Sequence, residues 1–344
     1  MRILVTGTDG YIGTILGAYL LQHGFEMVGL DTGLYRTGWL YSLGSSRLPE
    51  TIVKDIRNVT VNDLEGFDAF VHLAELSNDP LGQLNPEITF KINHEGSVHL
   101  ANLCKRAGVK RFVYMSSCSV YGIGDDDWKT EESSLNPQTA YAECKVKVEH
   151  DVSRMASDDF SPTFLRNATA FGASPRMRFD VVLNNLCGLA WTTNEIKMLS
   201  DGTPWRPLVH VLDMSQAIKC CLSADRTNVH NQIINVGASE QNYRVREIAS
   251  IVAETFPGCT LSIGSNDGDN RSYRVAFDKI QTIFPEFKCQ FDAKAGAAQL
   301  RTIFETISMS QGVFESEPYT RLKQLKHLIA TQQLTPDLFW RQSA

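Results

Sequence analysis

No stretch of this chain approaches the roughly 18 consecutive apolar residues that a membrane-spanning helix requires. Met1 runs straight into the apolar Ile3, Leu4 and Val5 with no basic segment and apolar core ahead of them, so no export signal is read and the expected location is the cytoplasm. The eight cysteines, at 104, 118, 144, 187, 220, 221, 259 and 289, form no Cys-x-x-Cys pair and no zinc-like cluster with the eight histidines. They read as reduced thiols, and no metal is expected. A basic excess is also missing: 33 Lys and Arg stand against 39 Asp and Glu, for a net charge of −6. Nucleic acid is therefore not an expected partner, nor is a membrane. Internal repeats and low-complexity tracts are absent too. What remains is an ordinary globular composition, 43% apolar and 21% charged, in 344 residues, enough for a nucleotide-binding domain and a smaller lobe.

The stretch Met1 to Asp31, MRILVTGTDGYIGTILGAYLLQHGFEMVGLD, reads as strand, glycine turn, helix and second strand ending in a carboxylate. Ile3 to Val5 is a short apolar run of the buried parallel-strand type. Gly7 permits the tight turn, Gly10 lets backbone approach a pyrophosphate, and Gly13 lets helix pack on strand. The helix spans Tyr11 to His23, and its first turn, with Tyr11 and Ile12, offers free N–H groups and a positive dipole end that suit a diphosphate. Gly24 closes it and Phe25 to Leu30 returns as a strand. Asp31 lies 18 residues beyond Gly13, where a carboxylate accepts ribose hydroxyls and repels a 2′-phosphate. NAD is thereby favoured over NADP. The spacing is GxxGxxG rather than GxGxxG, and it is the order of all five features that carries the reading.

Further on, Thr32 to Pro49 reads as a long loop with room for a short helix, and loops of that length in compact domains are usually functional. Thr51 to Val53 and FDAFVHL at 67 to 73 read as strands. Ligands of open α/β sheets bind beyond strand carboxyl ends, which places Asp55, Ala74 and Ser77 near the cofactor. Asn85-Pro86 opens a helix through Ala107, Arg111 to Met115 is a buried strand, and an acidic loop is expected over Asp125 to Glu132. A helix begins near Thr139 and a strand covers Ser161 to Leu165. From Phe171 the alternation breaks down, so residues 1–171 are expected to form the NAD-binding domain and 172–344 mainly a substrate lobe, with 207–236 as a stretch that can return to the first. The expected fold is α/β, a Rossmann-type doubly wound parallel sheet with a smaller α/β lobe over its carboxyl edge.

Tyr141-Ala142-Glu143-Cys144-Lys145 sets a phenol and an ammonium four residues apart, on one helix face. A phenol titrates near 10 in water, so a Tyr141 that removes an alcohol proton at neutral pH needs its anion stabilised; about 3 pKa units correspond to about 4 kcal/mol. Lys145 and an oxidised nicotinamide supply that positive charge, and Lys145 also suits the nicotinamide ribose. Ser117, at a strand end 24 residues before Tyr141, is placed to share the substrate hydroxyl.

With these motifs in one order, the chain closely resembles the extended short-chain dehydrogenase/reductase family, in its nucleotide-sugar epimerase and dehydratase branch. The resemblance runs from residue 1 to about 285 and rests on TGTDGYIG at 6 to 13, Asp31, Asp55, HLAELS at 72 to 77, Asn93, SSCSVYG at 116 to 122, YAECK, LRNATAFG at 165 to 172 and the stretches Arg206 to Asp213 and Arg271 to Val275. It implies Ser117, Tyr141 and Lys145 as a catalytic trio. It implies Asp55 and Ile56 at the adenine, Leu73, Ala74, Ser77 and Asn93 along the dinucleotide, and Arg206 and Arg271 on the substrate diphosphate, whose oxygens suit planar guanidinium donors. It further implies a homodimer through the helices that hold Asn93 and Tyr141.

Ser119, two before Tyr121, bears on the reaction. The 4,6-dehydratases resemble one another in an Asp-Glu pair where this chain has Cys118-Ser119, and the 3,5-epimerases in a cysteine at the second position. A serine hydroxyl is too weak an acid or base for either task. What remains is hydride removal and return, as in the UDP-galactose 4-epimerases, which carry Thr there. Three departures bear on the sugar: Thr169 where those enzymes share an Asn, Glu75 in place of the small residue of HLAA, and the basic run Ser174-Pro175-Arg176-Met177-Arg178, expected near the sugar pocket. Three readings stay open on the sequence: an epimerase of a nucleotide-diphosphate sugar, most simply at C4; a net keto-sugar reductase or dehydrogenase; and a dinucleotide-binding protein without turnover. The last thirty residues carry no functional reading.

Overall fold

The computed structural model describes residues 1–77, 85–266 and 271–341, and for 124–126 and 266 the backbone alone. The first strands are β1 (Arg2–Thr6), β2 (Glu26–Asp31), β3 (Glu50–Val53), β4 (Ala69–His72) and β5 (Arg111–Ser117). Next come β6 (Ile123–Lys129), β7 (Ser161–Asn167), β8 (Thr169–Phe171), β9 (Glu195–Ser200) and β10 (Trp205–His210). The last are β11 (Gln232–Val236), β12 (Asn242–Arg244), β13 (Thr260–Asn266) and β14 (Ser272–Val275).

Seven of these form one parallel sheet in the order β11-β7-β5-β4-β1-β2-β3. Leu4, Phe70, Phe112 and Phe164 load one face, and Ile3, Val5, Val71 and Val113 the other. Both faces are covered by helices, which is why these strands read as unbroken apolar runs. Strand order reverses between β1 and β4, so a crevice opens above their carboxyl ends, the usual ligand position of a doubly wound sheet. The fold is the one expected.

The second lobe is built from β12-β10-β8, β13-β9 and β14-β6, packed with helices around Phe179, Leu183, Ile248 and Phe304. Three elements differ from expectation. Residues 123–129 form β6, paired in parallel with β14, rather than a loop; the partner strand lies some 150 residues away, and acidic residues give no local strand signal. The helix after Asn85 is continuous but contains a π-helical stretch, Phe90–Gly96, between Pro86–Thr89 and Ser97–Arg106. Such widened turns are frequent at functional sites. Thr32 to Pro49 contains turns without a helix.

The chain crosses the boundary expected at 171/172 more than once. Residues Gln232–Val236 form the outer strand of the large sheet. Leu325, Leu328, Leu334 and Leu338 are buried in the same apolar cluster as Leu4, Leu30 and Phe70, so the C-terminal helix Arg321–Ala330 packs on the first domain.

Candidate active site

The glycine turn fits its task atom by atom. Gly7 has φ +77°, donates its N–H to Leu30 O at 2.9 Å, and a Cβ there would stand 2.9 Å from Ala74 N. A Cβ on Gly13 would stand 2.0 Å from Gly7 O. Gly10 begins the helix Tyr11–Gln22 with no side-chain cap, which leaves first-turn N–H groups for a ligand. The Tyr11 hydroxyl turns away, donating to Gly172 O at 2.6 Å and accepting from Asn184 Nδ2 at 3.0 Å, which ties the cradle to the second lobe. Asp31 accepts from Asp9 N at 3.0 Å and Gly33 N at 2.7 Å. Burial, with Asp9 adding to it, pushes its carboxyl up to about 6. Asp55 heads the short helix Ile56–Asn58 and is paired with Arg57, Nη2 to Oδ2 at 2.7 Å. Every expected cofactor residue from Gly7 to Ser77 lines one cavity.

Beyond β4 and β5 lies a corner of buried charge. Thr139 caps the helix Ala140–Ser153 by accepting from Ala142 N at 3.2 Å, and Tyr141 and Lys145 follow on successive turns. Lys145 Nζ lies 5.2 Å from the Tyr141 ring centroid, 2.5 Å from Glu75 Oε2, and donates to Met115 O. Glu75 Oε1 accepts from the Tyr114 hydroxyl at 2.5 Å. Burial raises the Glu75 carboxyl above its ordinary range, but both of its oxygens face donors, one of them the ammonium, and Glu75 and Lys145 stand as a charged pair. Burial opposes the Lys145 charge, but Glu75 and Tyr141 outweigh it and hold the ammonium above its ordinary pKa. Behind this pair, Glu149 takes the Ser116 hydroxyl at 2.5 Å and Arg166 in three contacts, and Arg166 reaches the Tyr121 hydroxyl at 3.1 Å. Ser117 Oγ accepts from Ser119 N at 3.1 Å at the end of β5. The Cys118 thiol donates to Arg166 O and is pushed far up by burial, so it is an inert packing group.

The family model described as the NAD dependent epimerase/dehydratase family matches residues 3–237, more than half of the chain. The chain belongs to that family. A UDP-glucose 4-epimerase of Corynebacterium glutamicum is 26% identical over 268 residues, 74% of this chain and 80% of that one. Among solved structures, MoeE5 in complex with UDP-glucuronic acid and NAD aligns with a TM-score of 0.76 at 27% identity, over 90% of this chain and 100% of that one. The NDP-hexosamine 5,6-dehydratase TunA aligns at 0.78 with 23% identity, over 89% and 98%, and shows the fold alone. The cofactor of this family is NAD. The residues present fit it: a cradle that a Cβ would fill at Gly7 and Gly13, and a part-buried carboxylate at Asp31.

Within this epimerase/dehydratase chain, the two arginines expected on a substrate diphosphate come from β10 and from just before β14. Arg206, on β10, donates to Trp205 O at 2.8 Å and to Arg271 O, so the two expected phosphate ligands are brought together. Ser119 Oγ is buried with no partner among the described residues, and Thr169 opens β8 at the lobe boundary.

Two expectations are corrected. Asn93 does not line the cavity that holds the other expected cofactor residues: it is fully buried, accepts from Leu76 N at 2.8 Å and donates to Leu76 O at 3.0 Å. Both halves of its amide are spent holding the loop after β4. The basic run at 174–178, expected near a sugar pocket, turns its arginines onto the protein itself. Arg176 donates to the carbonyls of Tyr35, Arg36 and Gly38, and Arg178 to Ser77 Oγ at 3.0 Å and to Asp180 at 2.8 Å. It buckles the loop after β2 and the loop after β4 to the second lobe. Among the described residues no His, Cys, Asp and Glu cluster has metal-site geometry, and no helix is long and apolar enough to cross a membrane.

Proposed function

We propose that this chain is a nucleotide-sugar epimerase working with retained NAD, most simply inverting C4 of a nucleoside-diphosphate sugar through a ketone. The observation that carries the reading is the end of β5, where Ser117 heads the turn and Cys118, an inert thiol, and Ser119 stand in place of any acid-base pair. Elimination of water or proton exchange at a neighbouring carbon needs a stronger base than these hydroxyls. Inversion by hydride removal and return does not.

In this reading Tyr141 accepts the proton of the sugar hydroxyl through its phenolic oxygen and gives it back after the ketone has presented its other face. Lys145 stabilises the phenolate and reaches the nicotinamide ribose. Ser117 donates to the oxygen as it becomes a carbonyl, and Ser119 adds a second hydroxyl nearby. NAD held in the glycine cradle would supply the hydride acceptor and, in the return step, the hydride donor. Asp31 holds the adenosine ribose, and Arg206 and Arg271 take the sugar diphosphate.

The test is NMR of UDP-, GDP-, CDP- and dTDP-sugars with purified protein and no added cofactor, preceded by mass spectrometry of its bound small molecules. Inversion at one carbon with no net change in oxidation state is expected. Loss of water, loss of carbon dioxide or stoichiometric consumption of added nicotinamide overturns the reading, in favour of a dehydratase, a decarboxylase or a reductase in that order.

A further inference from the structure

The last thirty residues lie beyond the part of the chain that matches the family model, yet they reach the dinucleotide cavity. Arg321, first residue of the helix Arg321–Ala330, lines that cavity with only 4% of its surface exposed. Its guanidinium lies 3.9 Å over the Tyr35 ring, and its Nη1 has no hydrogen-bond partner among the described residues. Arg178 lines the same cavity. Asp180 neutralises Arg178 at 2.8 Å and accepts from the Arg321 backbone N–H at 3.2 Å, but it leaves Nη1 of Arg321 unmatched, and a buried donor left unmade is costly. An anion bound in the cavity satisfies that donor.

Farther along, Leu338 is 2% exposed and forms part of the cavity wall beside Asp55 and Ile56. The segment that carries it is tied down from the cofactor domain. Trp340 Nε1 donates to Thr32 O at 2.6 Å. Arg57, already paired with Asp55, donates to Asp337 O at 2.8 Å and stacks on Phe339 at 3.6 Å.

We infer that residues 321–340 belong to the cofactor site, Arg321 supplying a cation to the diphosphate of the dinucleotide and Leu338 an apolar wall to its adenosine end. This rests on the dinucleotide reading of the glycine cradle. The diphosphate is the one strongly anionic part of NAD, and the helix start at Gly10 to Gly13 that would receive it opens on the same cavity.

Isothermal titration of the full chain, freed of nucleotide, with NAD, ADP-ribose, ADP and adenosine tests the inference. Arg321→Gln is expected to lose about 10- to 100-fold in affinity for the three phosphate ligands and less than about 2-fold for adenosine, with a shallower salt dependence for NAD. Arg321→Lys, which keeps the charge, is expected to stay within about 5-fold of the parent chain for ADP even if the glutamine variant fails to fold. Leu338→Ala is expected to weaken all four ligands, adenosine included. Unchanged NAD affinity in Arg321→Gln, or equal losses for NAD and adenosine, overturns the role of Arg321. If the parent chain binds none of the four, the cradle reading falls and this inference with it.

Discussion

The dinucleotide cradle and the corner around Lys145 are neighbours built from opposite materials. The cradle works with backbone: three glycines and a helix start without a cap, beside the Asp31 carboxylate. The corner works with charged side chains that share their partners: Glu75 with Lys145 and Tyr114, Glu149 with Ser116 and Arg166. A backbone site tolerates change at its rim and fails at its glycines. A buried ionic site spreads every change along its network.

The sharpest way to separate the two is Tyr141→Phe. Only a phenolic oxygen is removed, so turnover is expected to fall about 10²- to 10⁴-fold while NAD stays bound and the fold is retained. Steady-state rates beside cofactor stoichiometry by absorbance decide it; a near-parental rate removes Tyr141 from its proposed role. Gly13→Ala is the converse. The added carbon would sit 2.0 Å from Gly7 O and 2.7 Å from Thr8 Cα, both backbone atoms that cannot swing aside. About 3 kcal/mol of stability and more than tenfold in NAD affinity are expected to go, measured by urea unfolding and titration. Parental NAD affinity in that variant would mean the turn does not form the cradle.

The same contrast governs what the sequence made legible. The cradle was readable because its signals are local: Gly7, Gly10, Gly13 and Asp31 fall within one βαβ unit and each has a backbone reason for its place. Tyr141 and Lys145 were readable as a helical pair. The partner that Lys145 chose was not, because Glu75 arrives from another strand end; its only sequence signal was a carboxylate where a small residue usually stands. Asn93 was misassigned because an amide that bridges a loop and one that binds a ligand look alike in sequence. Arg321 and Leu338 had no signal at all, since their place depends on a helix that returns to Tyr35 and Ile56 across nearly three hundred residues.

Asp31 is where the cradle borrows from the corner, because it is a part-buried charge. Its carboxyl is raised to about 6 in the cofactor-free protein, against about 4 in an unfolded chain. The folded state therefore binds more protons than the unfolded one between about pH 4 and 6, so stability falls as pH rises through that window. Asp31→Asn is expected to remove this dependence and to stabilise the empty protein by about 1 kcal/mol above pH 6, the shift being discounted for partial exposure. In the same variant the preference for NAD over NADP is expected to narrow about tenfold, as repulsion of a 2′-phosphate is lost. Thermal melts across pH 4 to 8 and paired titrations read both. An unchanged preference would mean the carboxylate does not face the ribose.

Glu75→Gln has the smallest expected effect on rate and the most to say about the corner. The groups facing Lys145 are His72 from β4, Tyr114 from β5, and Tyr141 and Cys144 from its own helix. Burial, followed by Lys145, holds His72 down at about 3, burial pushes Tyr114 well up, and burial with Glu75 pushes Cys144 up to about 12. None of these three changes charge near neutrality; Glu75, raised by burial and drawn back by Lys145 and Tyr114, is the charge that offsets Lys145. Glutamine keeps an acceptor for Tyr114 but withdraws the negative charge, so the Lys145 field on Tyr141 is no longer opposed. The phenol should then ionise more easily, and the acid limb of kcat/KM is expected to move to lower pH by about 1 unit. A limb that moves upward would mean that Lys145, buried without its partner, has given up its proton and its hold on Tyr141. A limb that does not move would mean that Tyr141 does not feel the pair, and the network would then serve packing rather than proton transfer.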